Sequence, residues 1–319
     1  FALVADPDQA LRLVRGLIES APKAIAPFLA DDAAMLRLLR VLGASAGLGD
    51  FLAHHPEQLS GLRKPLRGPD DATALTERLL AATADLSGED GWNAMRVAYR
   101  RELLALAAWD LEQPDGIAVV DRVAASLADL AAAALDAALE LARRASRYPA
   151  DQVAATRLAI IGMGKAGARE LNYLSDVDVI FVAGSAPDGS SPDTSASGIV
   201  SDDRAVEIAT RLAMDTMRAI HELAVEPPLW EVDANLRPEG KDGALVRTLE
   251  SHLAYYERWA KSWEFQALLK ARALAGDREL GEQYVASVSP MVWSSASREN
   301  FVESVQQMRE RVTANIPLD

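Results

Sequence analysis

Asp176 and Asp178 stand two residues apart at the head of an apolar run ending near Val182, and a glycine-rich stretch, Gly162-Met163-Gly164-Lys165-Ala166-Gly167, precedes them. On a β-strand, residues two apart project from the same face with Cα atoms about 6.5 Å apart, so both carboxylates reach one divalent cation or bridge two. A third carboxylate is expected from a neighbouring strand, and Asp233, closing the run Leu229–Asp233, is placed to supply it. Hard oxygen ligands of this kind suit Mg2+ or Mn2+, which leave part of their shell open to phosphate oxygens. The glycine turn would present backbone N–H groups and a helix N-terminus to a phosphate, making Gly162, Gly164, Lys165 and the nearby Ser175 candidate nucleotide contacts. Arg237 and Lys241 follow Asp233 in a turn, where a guanidinium fork and an ammonium point charge suit phosphate. An isolated Asp-x-Asp is ordinarily a strand edge or a turn; the glycine turn before it and the strand Asp followed by Arg after it turn the pair into a candidate site.

Two other readings of the glycines fail on spacing. Gly162, Gly164 and Gly167 formally match the dinucleotide fingerprint, but that fold needs a full crossover helix and an acidic residue about 20 positions on. Here only Ala168 to Asp176 separates the third glycine from the next strand. The phosphate-loop pattern fails as well, because Lys165 follows Gly164 directly, without the spacer and the Gly-Lys-Ser/Thr ending.

The elements that must carry these residues fall into three parts. From Pro7 to Ser146 apolar residues recur at helical spacing, as in Leu11, Val14, Ile18 and in Met35, Leu38, Leu39, Leu42. Breaks at Pro22 to Pro27, Gly43 to Gly49, Lys64 to Pro69, Ser87 to Gly91 and Pro114 to Gly116 divide the region into six or seven helices. The longest run from about Gly91 to Leu111, with Arg96, Arg100, Arg101 and Glu102 read as a solvated face, and from about Ile117 to Arg144. Short strands are expected at Leu158–Ile161, Val177–Val182 and Leu229–Asp233, with a loop from Gly184 to Asp203 whose length beside a site suits a lid. From Thr248 to Ala273 the chain reads as helix, rich in aromatic rings assigned to the core, with Glu264, Lys270 and Arg272 read as an interhelical ion network. The expectation is an α+β, mostly helical protein: a helical domain (1–150), a small α/β core (151–247) and a helical C-terminal subdomain (248–319).

Composition narrows the partners. Over 319 residues, 33 Lys and Arg stand against 47 Asp and Glu, a net charge of -14, which repels a nucleic-acid backbone at long range. There is no cysteine, so disulfides, thiolate metal sites and a cysteine nucleophile are excluded together, and a reducing, cytoplasmic setting is expected. The most apolar stretch, Val123 to Leu141, is interrupted by Asp129, Asp136 and Glu140 and reads as a packed helix, not a bilayer span. The chain begins with Phe1, so it gives no reading of a leader segment.

Three blocks together resemble bacterial glutamine synthetase adenylyltransferase, also called the adenylyl-removing enzyme. They are the run from Gly162 to Phe181, Val232-Asp-Ala-Asn-Leu-Arg-Pro-Glu-Gly240, and Trp263-Glu-Phe-Gln-Ala-Leu-Leu-Lys-Ala-Arg272. The family carries two related catalytic halves, one removing AMP from a tyrosine of glutamine synthetase and one attaching it. Asn172 ahead of Tyr-Leu-Ser-Asp, and the leading helical region, resemble the removing half. The resemblance implies that the core is a polymerase-β-like nucleotidyltransferase sheet, and that inorganic phosphate attacks adenylyl-tyrosine on glutamine synthetase and releases ADP. Asp176, Asp178 and Asp233 would hold Mg2+ or Mn2+, Gly162, Gly164 and Lys165 would bind the nucleotide phosphate, and Arg237 would neutralise developing charge. A PII-type signal protein is an implied regulator. Asn235 departs from the family, where many members carry arginine. The attaching reaction, a regulatory module that binds nucleotide without turnover, and a dinucleotide-dependent oxidoreductase resting on the glycines alone are the competing expectations.

Overall fold

The computed structural model describes residues 3–66, 68–186, 200–295 and 306. Seven α-helices come first: α1 (Pro7–Ser20), α2 (Pro22–Leu29), α3 (Asp32–Ala44), α4 (Ala46–His54), α5 (Ala72–Thr83), α6 (Gly88–Asp110) and α7 (Val120–Arg144). There follow α8 (Ala150–Ala154), β1 (Thr156–Gly162), α9 (Gly164–Ala168), β2 (Val177–Ser185), α10 (Asp202–His221), β3 (Val232–Asp233) and β4 (Val246–Thr248). The described chain continues with α11 (Leu249–Arg258), α12 (Ser262–Leu268), β5 (Arg272–Gly276) and α13 (Arg278–Ser295). The fold is α+β and mostly helical, as the periodicity indicates.

Asp6, Asp31 and Asp71 start α1, α3 and α5 by accepting N–H bonds from the first turn of each helix. Two local expectations are corrected. The buried stripe of α1 is Ala10, Val14 and Leu17, whereas Leu11 and Ile18 are largely exposed. The break expected over Pro22 to Pro27 narrows to Ala21, between α1 and α2: Pro22 occupies the first turn of α2, where its missing N–H costs nothing, and Pro27 lies inside the same short helix.

The sheet is five-stranded and mixed. β1 lies between β2 and β5, antiparallel to both. The free side of β2 takes two short parallel partners in succession, β3 beside Val177 and Asp178 and β4 beside Phe181 to Ala183. The strand expected over Leu229–Asp233 contracts to its last two residues, Val232–Asp233. The helix expected from Thr248 to Ala273 is broken into α11, α12 and the strand β5, so the C-terminal part contributes a strand to the sheet and β4 straddles residues 247 and 248. Five residues, Arg-Ala-Leu-Ala-Gly, carry too little periodicity to separate strand from helix, and pairing with β1 decides it.

β1 and β2 read as continuous apolar runs because both faces of the sheet are covered. Leu158, Ile160, Val179 and Phe181 join a cluster with α5, α7 and α10, whereas Ala159, Ile161, Ile180 and Val182 pack with Tyr256, Phe265, Tyr284 and Val288 from the C-terminal helices. The first cluster crosses the boundary at residue 150, uniting Leu79, Leu127 and Leu135 with the sheet. Its axis is α7, whose buried alanines let neighbouring backbones approach closely. Among the aromatic rings, Tyr256 and Phe265 are core but Trp259 is 72% exposed.

Arg96 corrects the solvated-face reading of α6. Fully buried, it donates to the carbonyls of Ala219, Glu222 and Glu226 at 2.7–3.2 Å, clasping the C-terminal end of α10 where carbonyls lack helical partners. Arg100 extends the clasp to the carbonyls of Pro227 and Pro228. Arg101 stays on the surface and pairs with Glu102.

His252, 1% exposed beneath Tyr284, shares a 3.0 Å hydrogen bond with the Thr248 carbonyl, and burial lowers its pKa from 6.5 to about 4. The unfolded chain therefore takes up this proton first, so the His252 contribution is whole above pH 6.5 and is lost as the pH falls toward 4. Chemical denaturation across this window should show a loss of up to about 3 kcal/mol that His252→Gln largely abolishes; an unchanged pH slope in that variant would refute the assignment.

Candidate functional site

Strand alternation builds the site. Val177, Val179 and Phe181 face α7 and α10, which leaves Asp178 on the opposite face, with Asp176 one step before the strand begins. Because β3 runs parallel to β2 with Asp233 in register with Asp178, the third carboxylate arrives beside the first two. Ligand oxygens of Asp176, Asp178 and Asp233 all lie within 4.8 Å of one another. The Val177 N–H donates to the Glu231 carbonyl at 2.9 Å and holds the strands together at this point. Asp233 is oriented by the Asn235 N–H, 2.7 Å from its Oδ1, and the Ser175 hydroxyl lies 3.4 Å from Asp176 Oδ1.

Burial, then the charges of Asp176 and Asp233, push Asp178 up from 3.8 to about 6, while the Lys165 ammonium acts the other way. Lys165 is thus electrostatically within reach of the cluster from the exposed side of α9.

The glycines divide by role. Gly164 has a positive φ of 50°, and a Cβ on it would stand 2.2 Å from Asp178 Oδ2. Glycine is required there both for the backbone conformation and for the close approach of the carboxylate. The Met163 N–H donates to the Asp178 carbonyl at 2.9 Å, tying the turn to the strand. Gly162 instead lies within β1, in register with Val179 and Arg272, where a side chain would press on Leu274. Gly167 packs against backbone: a Cβ would meet the Lys270 carbonyl at 1.9 Å.

Arg237 is engaged with its own turn. It donates to the carbonyls of Ala234, Lys241 and Gly243 at 2.8–3.1 Å, clasping the loop that follows Asp233. Lys241 lies exposed in the same turn. Beside Asp233 opens a cavity of about 660 Å3 whose lining includes Met217, His221, Trp230, Asn235 and Leu245. Of the loop expected from Gly184 to Asp203, the first two residues end β2, the last two begin α10, and residues 187–199 lie outside the described residues.

Several contacts were not legible from spacing. Glu264 accepts the Lys261 N–H and caps its own helix, Lys270 pairs with Glu170, and Arg272 sits on β5 with its guanidinium on the carbonyls of Ala166 and Gly167, so these three residues form no interhelical ion network. Tyr173, just ahead of the carboxylates, donates to Asp110 at the end of α6.

Carboxylates from neighbouring strands behind a glycine turn, on a small mixed sheet within a mostly helical chain, give a nucleotidyltransferase-like fold. The sequence profile of the glutamate-ammonia ligase adenylyltransferase family matches residues 35–287, and the chain belongs to that family. It is 58% identical, over 98% of its length, to 31% of the bifunctional glutamine synthetase adenylyltransferase/adenylyl-removing enzyme of Leifsonia xyli subsp. xyli. Proteins of the same name from Streptomyces avermitilis (50% identity, 98% of this chain, 30% of that one) and Mycolicibacterium smegmatis (46%, 89% and 27%) are also similar. The chain therefore spans about a third or less of the length of these relatives. Among the described residues, no helix is long and apolar enough to cross a membrane.

Because burial and the neighbouring carboxylates raise the Asp178 pKa to about 6, its charge opposes folding: its own contribution to stability is whole below the ordinary carboxylate range and is lost as the pH rises through about 6. Without added divalent cation, Asp178→Asn should therefore raise stability at pH 7.5 by about 1 kcal/mol, after allowance for solvent screening. Thermal melts in chelator test this, and a melting temperature lowered by the substitution would contradict the electrostatic reading.

Proposed function

We propose that this chain catalyses metal-dependent phosphorolysis of adenylyl-tyrosine on glutamine synthetase, releasing ADP and restoring the free tyrosine. The observation that carries the reading is the convergence of Asp176, Asp178 and Asp233 on one point beside Gly164. The residues fit a divalent cation: all three donors are hard carboxylate oxygens, and the raised pKa of Asp178 reports negative charge that no neighbouring cation balances fully. When bound, Mg2+ or Mn2+ would neutralise phosphate oxygens and help align an in-line displacement.

The chain's own groups do the rest. Asp176, Asp178 and Asp233 are the ligands, held in place by the β2–β3 register. Gly164 leaves room for the substrate phosphate and for Asp178 together. Lys165, on the exposed side of the turn, supplies positive charge for a phosphate group. Arg237 keeps the loop after Asp233 closed on itself, and Lys241 lies in the same turn. The cavity beside Asp233, walled by Trp230, Leu245 and Met217, offers apolar surface to an aromatic ring of the substrate. An oxygen of inorganic phosphate attacks the AMP phosphorus, the bond from phosphorus to the tyrosyl oxygen breaks, and the phenolate takes a proton as ADP leaves. No side-chain nucleophile is required, since phosphate is itself the attacking group.

The removing direction is supported by Asn172 in the segment before the carboxylates and by the leading helices, which share a core with the sheet. Incubation with adenylylated glutamine synthetase, Mg2+ and phosphate should yield ADP in step with loss of protein-bound AMP. If ATP instead yields pyrophosphate and newly adenylylated protein, the attaching reaction replaces this one; nucleotide binding without either product would leave a regulatory module. Gly164→Ala should lower turnover at least about tenfold, since displacing one ligand by an ångström is enough to spoil alignment, and near-normal turnover would remove Gly164 from the site.

A further inference from the structure

The mechanism above leaves unused the residues behind the glycine turn. α9 is a single short turn of helix that must hold Gly164 against Asp178, and at its end the Ala166 carbonyl receives the Arg169 N–H only at 3.4 Å, so its last carbonyls can take further donors. Arg272, at the start of β5, supplies them: its Nε donates to the Gly167 carbonyl at 3.1 Å and its Nη2 to the Ala166 carbonyl at 2.9 Å. Asp129, on α7 and 6% exposed, lies 3.9 Å from Arg272 Nη1 and accepts a hydrogen bond from Arg169, which closes α9 in the left-handed conformation at φ 60°. A non-glycine residue rarely adopts that backbone, so the Asp129 contact favours a conformation that the side chain itself opposes. On the same face of α7, seven residues on, Asp136 accepts the Gly276 N–H at 2.7 Å. Two of the acidic interruptions of the alanine-rich helix, Asp129 and Asp136, thus grip the two ends of β5, and Arg272 passes the grip to the turn.

We infer that Arg272, oriented by Asp129, is a positioning residue that holds the glycine turn against Asp178 and thereby sets the geometry of the three-carboxylate cluster. Neither side chain touches the cluster. They act through the carbonyls of α9, the Gly167 contact with the Lys270 backbone and the Met163 hydrogen bond to Asp178. Lysine cannot replace the fork, because one ammonium cannot span two carbonyls and face Asp129 together. Arg272 and Asp129 also line a cavity of about 790 Å3, so a small cation from solvent can reach the place that a shortened side chain vacates.

The inference rests on the carboxylate cluster being a metal site, and direct Mn2+ binding followed by electron paramagnetic resonance tests it independently of the direction of the reaction. Arg272→Met and Asp129→Asn, with native circular dichroism, should bind Mn2+ roughly 10- to 100-fold more weakly than the parent chain, the range seen when a supporting partner of a metal ligand is removed. The apparent metal requirement of turnover should rise in parallel, while KM for the protein substrate stays unchanged. Arg272→Lys should remain impaired, and non-denaturing guanidinium should restore binding in Arg272→Ala but not in the parent. Parent-like Mn2+ affinity in folded Arg272→Met overturns the inference. So does weakening that merely tracks loss of structure and is fully cured by Arg272→Lys. If the parent binds Mn2+ but releases no ADP, the proposed reaction falls and the inference about Arg272 stands; if the parent binds no Mn2+, both fall.

Discussion

Three carboxylates that repel one another are held together by backbone pairing, and most of the chain is arranged around that constraint. Burial and this repulsion together raise the Asp178 pKa, and its charge opposes the folded state by about 1 kcal/mol at neutral pH after solvent screening. Such a cluster persists only where the strands carrying it cannot move apart. β2 provides this: buried on both faces, paired along one side with β1 and along the other with β3 and β4, it leaves Asp178 no freedom to withdraw. The strain appears as the raised pKa of Asp178, and a bound divalent cation is the natural relief.

The helical mass serves the same end at longer range. α7 packs under the sheet through alanines, and its buried Asp129 and half-buried Asp136 face β5, whose other side is paired with β1. Arg96 and Arg100 on α6 fix the end of α10 and the Pro227–Pro228 segment, from which the chain enters β3 and delivers Asp233. Helices far from the carboxylates in sequence therefore decide where each of them stands. For the displacement proposed above, a rigid and preorganised cluster answers the need for alignment without a nucleophilic side chain.

The site was more legible than its support. Asp176, Asp178 and Asp233 could be grouped from strand alternation together with the glycine turn before them and the Arg after Asp233, and the structure brings all three together. Gly164 and Gly162 looked equivalent in sequence and are not: one faces a carboxylate, the other lies inside a strand. Arg237 looked like a phosphate ligand because arginine after a metal-site aspartate suits one, yet carbonyls of its own turn engage it. Arg96 was read as a solvated face because its partners are backbone carbonyls more than 120 residues away, which leave no pattern in side-chain identity. β5 escaped for a related reason, since five residues take their conformation from β1 and not from their own periodicity. Local chemistry with a fixed period can be read directly, whereas contacts between side chains and distant backbone cannot.

The most direct test of the central claim is anomalous diffraction from crystals of this chain soaked in Mn2+. The account predicts density bounded by the carboxylates of Asp176, Asp178 and Asp233 and absent from Asp178→Asn crystals grown the same way. Manganese bound elsewhere, or no manganese at the cluster at concentrations that saturate turnover, would contradict it.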